Sequence, residues 1–361
     1  MSAFSSWAPG RVNLIGEHTD YSGGLVLPVA IDRGVTLAVE SVGDDTIVLE
    51  SDGFGSAPAF PADGRDAKVD GWGRYAVAVA AELADLGRPS VGLAGTLTSN
   101  LPIGSGLSSS AALEVAIGLA LCKAATFTLP PMELAAACQR AELRAVGVPC
   151  GILDQAASIL GREGEAILLD CGTLEHSTIP ISPEAGFVVI DSGVEHGAGG
   201  SLADSGYADR RRELEAAMAA VGAERSTAIP LSALDALEGI LLRRLRHVLT
   251  ENDRVLRFRD ALMAGDLVTA GTTLTESHAS LRDDYEISVP PVDRLVELAN
   301  ELGALGARQL GGGFGGSVLV LVEAARSELV GRTIGEAYRD ELGFGGDVLA
   351  VRASGGAAIK R

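Results

Sequence analysis

The segment SNLPIGSGLSSSAALEVAIG, residues 99–118, constrains the fold of this chain more than any other. Ala112, Val115, Ala116 and Leu119 recur at i, i+3, i+4 and i+7, so the spacing predicts a helix that begins near Ser108. Gly92 to Thr98 reads as a strand that delivers the chain into the loop. A helix start leaves its first N–H groups without intrahelical acceptors, and this glycine- and serine-rich loop lets them converge on one guest. A phosphate oxyanion is the expected guest. The loop is not the GxxxxGK[ST] phosphate loop, because no lysine follows its glycines, so serine hydroxyls and backbone amides must act in its place. Ser108 as a plain N-cap explains one serine but neither Gly104 nor Gly106.

At 361 residues the chain is long for one hydrophobic core, and two intimately packed domains are expected. With 47 % hydrophobic and 21 % charged residues the composition is that of a globular protein. No stretch approaches the ~18 uninterrupted apolar residues of a membrane span. The N-terminal MSAFSSWAPGRVN lacks a basic region followed by an apolar core, so a cytoplasmic location is expected. A formal net charge of −19 argues against a nucleic-acid partner. Arg210-Arg211-Arg212 falls in helical text and reads as a solvated face. Cys122, Cys138, Cys150 and Cys171 show no CxxC spacing and read as free thiols.

Along the chain, residues 35–49 alternate around Gly-Asp-Asp and read as a hairpin, and Trp72 to Leu86 as a helix. PPMELAAACQRAELRAVG opens with Pro131 in a first turn and stops at Gly147; ILDQAASIL is a further helix. Residues 174–183 read as a loop, and FVVIDSG opens a new strand, which places a domain boundary after residue 183. Helices are expected at 207–221, 232–249, 253–263, 266–281 and 291–304, followed by the strand SVLVLVEA and the closing DVLAVRASGGAAIK.

Three more stretches carry chemistry. APGRVNLIGEHTDYSGG, residues 8–24, gathers Arg11, Glu17, His18 and Asp20. The carboxylates suit sugar hydroxyls, the imidazole accepts or donates, and the guanidinium suits a phosphate or carboxylate; a solvated turn is the plain alternative. Glu-His…Asp lacks the HExxH spacing of a zinc site. In GALGARQLGGGFGGSVLVLV, Gly311, Gly313 and Gly316 fit GxGxxG, but a helix precedes and a strand follows, the reverse of the dinucleotide fingerprint. It reads instead as a turn that packs backbone closely against a loop or ligand. AELRAVGVPCGILDQ sets Glu142 near one helix end and Asp154 in the first turn of the next, where the dipole favours a carboxylate with or without another role.

Taken together these segments resemble the galactokinases, a branch of the GHMP small-molecule kinases. PGRVNLIGEHTDY resembles their N-terminal signature, of which mevalonate kinases share PG…GEH but not Thr-Asp-Tyr. LPIGSGLSSSAA resembles the ATP loop and GGGFGGS the third motif. AELRAVGVPCGILDQ, SGYADRRRELEAA, RHVLTENDRV and SHASLRDDYEIS resemble further segments in the expected order, so the likeness spans nearly the whole chain.

The resemblance implies ATP-dependent phosphorylation of D-galactose at its anomeric hydroxyl with Mg²⁺. Asp154 then matches the catalytic aspartate, as proton acceptor or as positioner, and Arg11 the arginine that orients it. Glu17, His18, Asp20, Gly151 and Tyr207 match galactose contacts. Gly104, Ser105, Gly106, Leu107, Ser108, Ser109 and Ser110 match the loop around the ATP phosphates, and Gly313, Phe314 and Gly315 the glycine loop beside it. Ser110 and Glu142 match the magnesium ligands, an oxygen set that Mg²⁺ prefers; Ser108 is left as a helix cap. Trp72 and Tyr75 resemble a segment near the adenine. The implied fold is α+β in two domains, residues 1–183 like the second ribosomal-S5 domain and 184–361 ferredoxin-like, with the site between them. The implied partners are small molecules, with no nucleic acid or membrane, and the implied state is a monomer. Gln309-Leu310, Ser317 and Ser22 stand where the family often has Met-Thr, Cys and Asn, none of them at a matched catalytic position. The same chemistry on N-acetylgalactosamine, arabinose or a uronic acid is a second reading. A galactose- and ATP-binding sensor is a third, and Ser110-Ala111 speaks against it, since such sensors lack that pair.

Overall fold

The computed structural model describes residues 3–41, 44–102, 106–147, 150–195 and 206–360. The chain opens with β1 (Phe4–Asn13), the short β2 (Leu25–Val26) and the long β3 (Pro28–Ser41). Then come β4 (Thr46–Ser51), β5 (Gly55–Ser56), β6 (Phe60–Pro61), helix α1 (Gly73–Asp85) and β7 (Leu93–Ser99). Helices α2 (Ser109–Ala124), α3 (Pro131–Val146) and α4 (Leu153–Leu160) precede β8 (Glu165–Asp170), β9 (His176–Pro180) and β10 (Ala185–Asp191). The second half runs α5 (Tyr207–Ala220), α6 (Gly239–Ala264), α7 (Leu267–Asp283), α8 (Pro290–Glu301), β11 (Gly306–Gln309) and β12 (Ser317–Glu323). It closes with α9 (Ser327–Leu342), β13 (Val348–Val351) and β14 (Ala358–Lys360).

The first sheet has the order β14-β1-β3-β7-β4-β5, with β6 beside β4. Its cover is α2, whose buried residues Ala111, Ala112, Val115, Ala116, Ile117, Ala120 and Leu121 surround the axis. A helix apolar all round belongs inside a domain, and α2 lies between β1 and β3 on one side and α1, α3 and α4 on the other. The second sheet, β11-β12-β10-β13, is antiparallel. Its two faces enter two cores by strand alternation. Val188, Ile190, Val318, Val320 and Val322 pack with Val292, Leu295 and Ile334 of α8 and α9. Phe187, Val189, Leu319 and Leu321 enter the core that holds Val12, Leu37 and Val115 of the first half and Phe258 and Leu274 of α6 and α7. The halves therefore share one continuous interior.

The structure corrects four expectations. Residues 35–49 are not a hairpin: β7 lies between β3 and β4, antiparallel to one and parallel to the other, and uses the ladder groups that each would have offered its neighbour. Residues 176–180 are a strand rather than a loop, because β9 completes the pairing of β8. The helices expected at 232–249 and 253–263 are the single α6, preceded by a 3₁₀ turn at Leu231–Ala236, since Glu251 and Asn252 face inward to polar partners instead of breaking the helix. The chain end does not stay with the second half, for β14 pairs with β1 and Ala353 bridges to Ile31. The expected helices at 72–86 and 131–146 form, the latter with Pro131 in its first turn and Gly147 left-handed at its end. All four cysteines are free.

Helix α7 approaches β11 so closely that a Cβ on Gly306 would lie 1.9 Å from the Gly271 oxygen, and one on Gly271 2.1 Å from the Leu305 oxygen. Both obstacles are backbone, so a methyl group at either place must part the helix from the strand. Gly271→Ala is therefore expected to destabilise the fold by about 1–3 kcal/mol, read as a lowered denaturation midpoint. An unchanged midpoint would show that the two elements are not packed in this way.

Candidate active site

Strand β1 shifts register between Pro9 and Arg11, and the intervening Gly10 has no room for a side chain, since a Cβ there would stand 2.6 Å from the Leu107 oxygen. The phosphate-loop segment can thus lie on the strand, with the Arg11 N–H donating to the Leu107 oxygen at 3.2 Å. The Arg11 guanidinium turns into the same place. Its Nε donates to Asp154 Oδ1 at 2.6 Å and its Nη1 to the Gly106 oxygen at 2.6 Å. Burial opposes the charge on Arg11, but Asp154, then Glu17 and Asp20, outweigh it and hold its pKa above the ordinary value.

Ser108 is not a helix cap. It has φ 55° and ψ 53°, makes no side-chain cap bond, and donates its hydroxyl to Asp154 Oδ2. Left-handed backbone turns the hydroxyl away from the amides it would have capped and toward α4. Both oxygens of Asp154 are therefore held, one by the signature strand and one by the loop. Ser109, exposed, and Ser110 begin α2, whose first-turn N–H groups have no intrahelical acceptor. Leu107 is buried. Gly104 and Ser105 lie outside the described residues.

Ser110 donates to Glu142 Oε1 at 2.8 Å. Burial, then Asp154, pushes the Glu142 pKa up, the signature of a carboxylate short of positive charge. Tyr75 is pushed up by burial and then by the same Glu142, which puts α1 on this side of the site. Trp72 stands just before that helix.

On the other side, the segment after β1 is gripped by the second half of the chain. Arg308 of β11 donates to the Leu14 oxygen at 2.8 Å, to the Asn13 oxygen, and to Glu17 Oε1 at 3.1 and 3.2 Å. The Gly311 N–H adds a bond to Glu17 Oε1 at 2.9 Å. From α6, His247 meets the Glu17 carbonyl at 3.1 Å, Glu251 accepts from the Gly16 N–H at 3.1 Å, and Asn252 accepts from the Leu25 N–H at 2.8 Å. Burial raises Glu251, but Arg254, His247 and Arg308 outweigh it and bring it down to about 2, so this anchor is ionised.

His18 has φ 62°, and its Nδ1 meets the Tyr21 hydroxyl at 2.8 Å, which in turn meets the Tyr285 hydroxyl at 2.7 Å. Its Nε2 is buried with no hydrogen-bond partner among the described residues. Burial, then His247 and Arg210, lowers its pKa to about 3, so the imidazole is neutral. Tyr207, at the start of α5, stacks obliquely against it with ring centres 5.6 Å apart. Burial, followed by Asp154 and Glu17, raises Asp20 to about 7. Gly151 makes room for this carboxylate, since a Cβ there would lie 1.8 Å from Asp20 Oδ2. In the glycine turn, Gly313, Phe314 and Gly315 have φ of 90°, 62° and 139°, and the Phe314 N–H donates to the Ile287 oxygen at 2.7 Å. The turn joins the site through Gly311. His18, Ser108 and Phe314 are three of the seven non-glycine residues with positive φ among the described residues, and such conformations gather where function holds them.

Arg11, Glu17, His18, Asp20, Gly151, Asp154 and Tyr207 are thus brought together, with Ser108, Ser110 and Glu142 beside them. Sequence reasoning missed Arg308, His247, Glu251 and Tyr285. The available signal was polar residues inside apolar periodic text, such as the arginine of GARQL and the glutamate of RHVLTEND.

Known proteins resemble this chain over nearly its whole length. Residues 2–41 match the galactokinase galactose-binding signature, 74–162 the GHMP kinases N terminal domain, and 258–340 the GHMP kinases C terminal region. The galactokinase of Thermococcus kodakarensis is 40 % identical over 353 residues, 98 % of this chain and 99 % of that one. That of Pyrococcus furiosus is 37 % identical over 99 % of this chain and 100 % of its own. The crystal structure of Lactococcus lactis galactokinase complexed with galactose superposes with a TM-score of 0.92 at 32 % identity, covering 99 % of this chain and 95 % of that chain. A mevalonate kinase structure shares the fold at a TM-score of 0.67 and 20 % identity, over 96 % of this chain and 98 % of its own. With a site built from the signature, the phosphate loop and the glycine turn, and with full-length identity of this order, the chain belongs to the galactokinase family of the GHMP kinases.

Proposed function

We propose that the chain transfers the γ-phosphoryl group of ATP to the anomeric oxygen of D-galactose, giving galactose 1-phosphate and ADP. The observation that carries this reading is Asp154, gripped by Arg11 and by Ser108 of the phosphate loop, with Asp20 and Glu17 within electrostatic reach. Glu17, His18, Asp20, Gly151 and Tyr207 form the sugar side: the carboxylates accept from hydroxyls, neutral His18 offers its unpartnered Nε2, and Tyr207 supplies a ring wall. The loop at 104–110 and the start of α2 take the ATP phosphates, with Gly313, Phe314 and Gly315 alongside.

Asp154 accepts the hydrogen bond of the anomeric hydroxyl and aims its oxygen at the γ-phosphorus. The new O–P bond forms as the bond from γ-phosphorus to the bridging oxygen breaks, ADP leaves with that oxygen, and the hydroxyl proton passes to Asp154 when it acts as base or to solvent when it acts only as positioner. Such a transfer depends chiefly on position and charge stabilisation, and Arg11 places its charge between the carboxylate and the loop. Ser110 and Glu142 are the oxygen donors that would hold Mg²⁺, and the upward shift of Glu142 fits a carboxylate that awaits a cation. When bound, the ion screens phosphate charge. We further place the domain division after residue 183, with residues 353–360 returned to the first domain by their pairing. No helix among the described residues is long and apolar enough to cross a membrane, and a monomeric cytoplasmic enzyme is our reading.

A coupled ADP-release assay over a panel of sugars, with and without Mg²⁺, is expected to respond to galactose only with the metal present; no response to any sugar would leave the sensor reading. Asp154→Asn should keep galactose affinity while turnover falls by about 10³-fold or more, the order seen when an essential acid–base or positioning group is lost. Turnover near wild type would remove Asp154 from the reaction.

The two sugar-side carboxylates are expected to separate. Asp20→Ala should weaken galactose binding in calorimetry without loss of thermal stability, whereas Glu17→Ala should also destabilise the fold, because it strands the fully buried Arg308. Equal melting of both variants would sink that distinction.

Asp20 also sets a pH dependence. Its folded pKa of about 7 stands above the ordinary 3.8, so the stability linked to it is whole below the lower value and lost as pH rises through the upper one. The ligand-free Asp20→Asn variant should therefore melt above wild type beyond pH 7 and converge with it near pH 4. Parallel melting curves at all pH values would contradict it.

A further inference from the structure

The phosphoryl-transfer groups sit on three different helices: Ser110 on α2, Glu142 on α3 and Asp154 on α4. These helices meet through apolar side chains, many of them alanine. One polar side chain lies where all three come together. Gln155, adjacent to Asp154 and fully buried, donates through Nε2 to Glu142 Oε2 at 2.8 Å and to Glu114 Oε2 at 3.1 Å. Glu114 lies one turn beyond Ser110 on the same face of α2 and is also fully buried.

The orientation of the amide follows from its surroundings. Turned over, its oxygen would face two carboxyl oxygens, Glu142 Oε2 would keep only the Cys150 thiol and Glu114 would lose its donor, so the NH₂ group faces them, which leaves Gln155 Oε1 without a partner among the described residues. Glu142 is then held at both oxygens, by Ser110 at 2.8 Å on one and by Gln155 and the Cys150 thiol, at 3.2 Å, on the other. Gln139 fixes the Cys150 carbonyl in turn, at 3.0 Å. Glu114 has a different standing. Its hydrogen bond to Gln155 is the one it makes among the described residues, its Oε1 has no partner there, and an apolar residue of similar size would cost less to bury. A buried carboxyl with a single polar contact acts through that contact.

We propose that Gln155 is a positioning residue that holds the metal-binding carboxylate of Glu142 in register with the catalytic carboxylate of Asp154, and that Glu114 anchors it to the helix that carries Ser110. The inference rests on the reading of Ser110 and Glu142 as magnesium ligands. Because Gln155 and Asp154 are neighbours in one helical turn, the 2.8 Å bond ties the Glu142 carboxyl to the helix that carries Asp154. Metal affinity and turnover should therefore depend on the amide, whereas sugar binding, organised by the opposite side of the site, should not.

The test measures Mn²⁺ binding by electron paramagnetic resonance, with galactose and a non-hydrolysable ATP analogue present, together with kcat, galactose Kd and melting. Gln155→Met is expected to weaken Mn²⁺ binding by about 10–100-fold, the range for partners that orient a metal ligand, and to lower kcat while galactose Kd holds. Glu114→Leu should reproduce the defect, and Glu114→Gln, which retains an acceptor for Nε2, should rescue most of it. If Gln155→Met does not fold, Gln155→Asn, too short to reach both carboxyls, gives the same readouts. Wild-type Mn²⁺ affinity and kcat in the Gln155 variant, with Mn²⁺ binding lost in Glu142→Gln, would overturn the role of Gln155 alone. Full Mn²⁺ binding by Glu142→Gln would instead overturn the metal reading, and the positioning role with it.

Discussion

Arg308 is the constraint on which the site depends. Its side chain is fully buried, and its guanidinium spends its donors on the carbonyls of Asn13, Leu14 and Gln309 and on the Glu17 carboxylate. A charge taken out of water is tolerable only when its donors are met, and here the acceptors come mainly from a segment about 290 residues earlier in the chain. Strand β11 and the segment after β1 must therefore settle together. Glu251 and His247 repeat the logic from α6, one accepting the Gly16 N–H and the other meeting the Glu17 carbonyl. The segment that carries Glu17, His18 and Asp20 is thus held in place by both halves of the chain.

This arrangement reconciles an acidic protein with an anionic substrate. The chain carries a net charge of −19, and the loop proposed to face the phosphates has no lysine. In the proposed site the helix start of α2 would supply N–H groups in place of cations, and Arg11 is the guanidinium that enters from the strand. Glu17 and Asp20 bring two further carboxyl groups close to Arg11. Glu17 is met by Arg308 and Gly311, whereas Asp20 lies on bare glycine at residue 151 and rises to about 7. On the proposed reading, the hydroxyls of a sugar would add donors at these carboxylates.

Much of this was legible in the sequence, and the reason is local. The helix after the glycine-serine loop, the proline start and glycine stop of α3, and the placement of Asp154 in a first turn all follow from interactions within a few residues. The misreadings were long-range. Residues 35–49 alternate as a hairpin would, yet β7 takes the place between them, and alternation cannot say which strand is the neighbour. Residues 250–252 fell between two expected helices, but Glu251 and Asn252 continue one helix and are buried against the signature segment. Ser108 read as a cap because serine often caps, and its left-handed backbone turned it to Asp154 instead.

The sequence by itself pointed to the residues proposed to carry chemistry and to a proposed anion site at a helix start without a lysine, and it determined that the whole chain follows one family's order. Tertiary structure decided how those residues meet. It paired Arg11 with Asp154 across 143 positions, used Arg308 to hold Glu17, and joined three helices through Gln155. The physical reason is that a motif is written in neighbouring residues, whereas the partner that satisfies a buried charge is chosen by packing, and packing brings together residues that no local pattern relates.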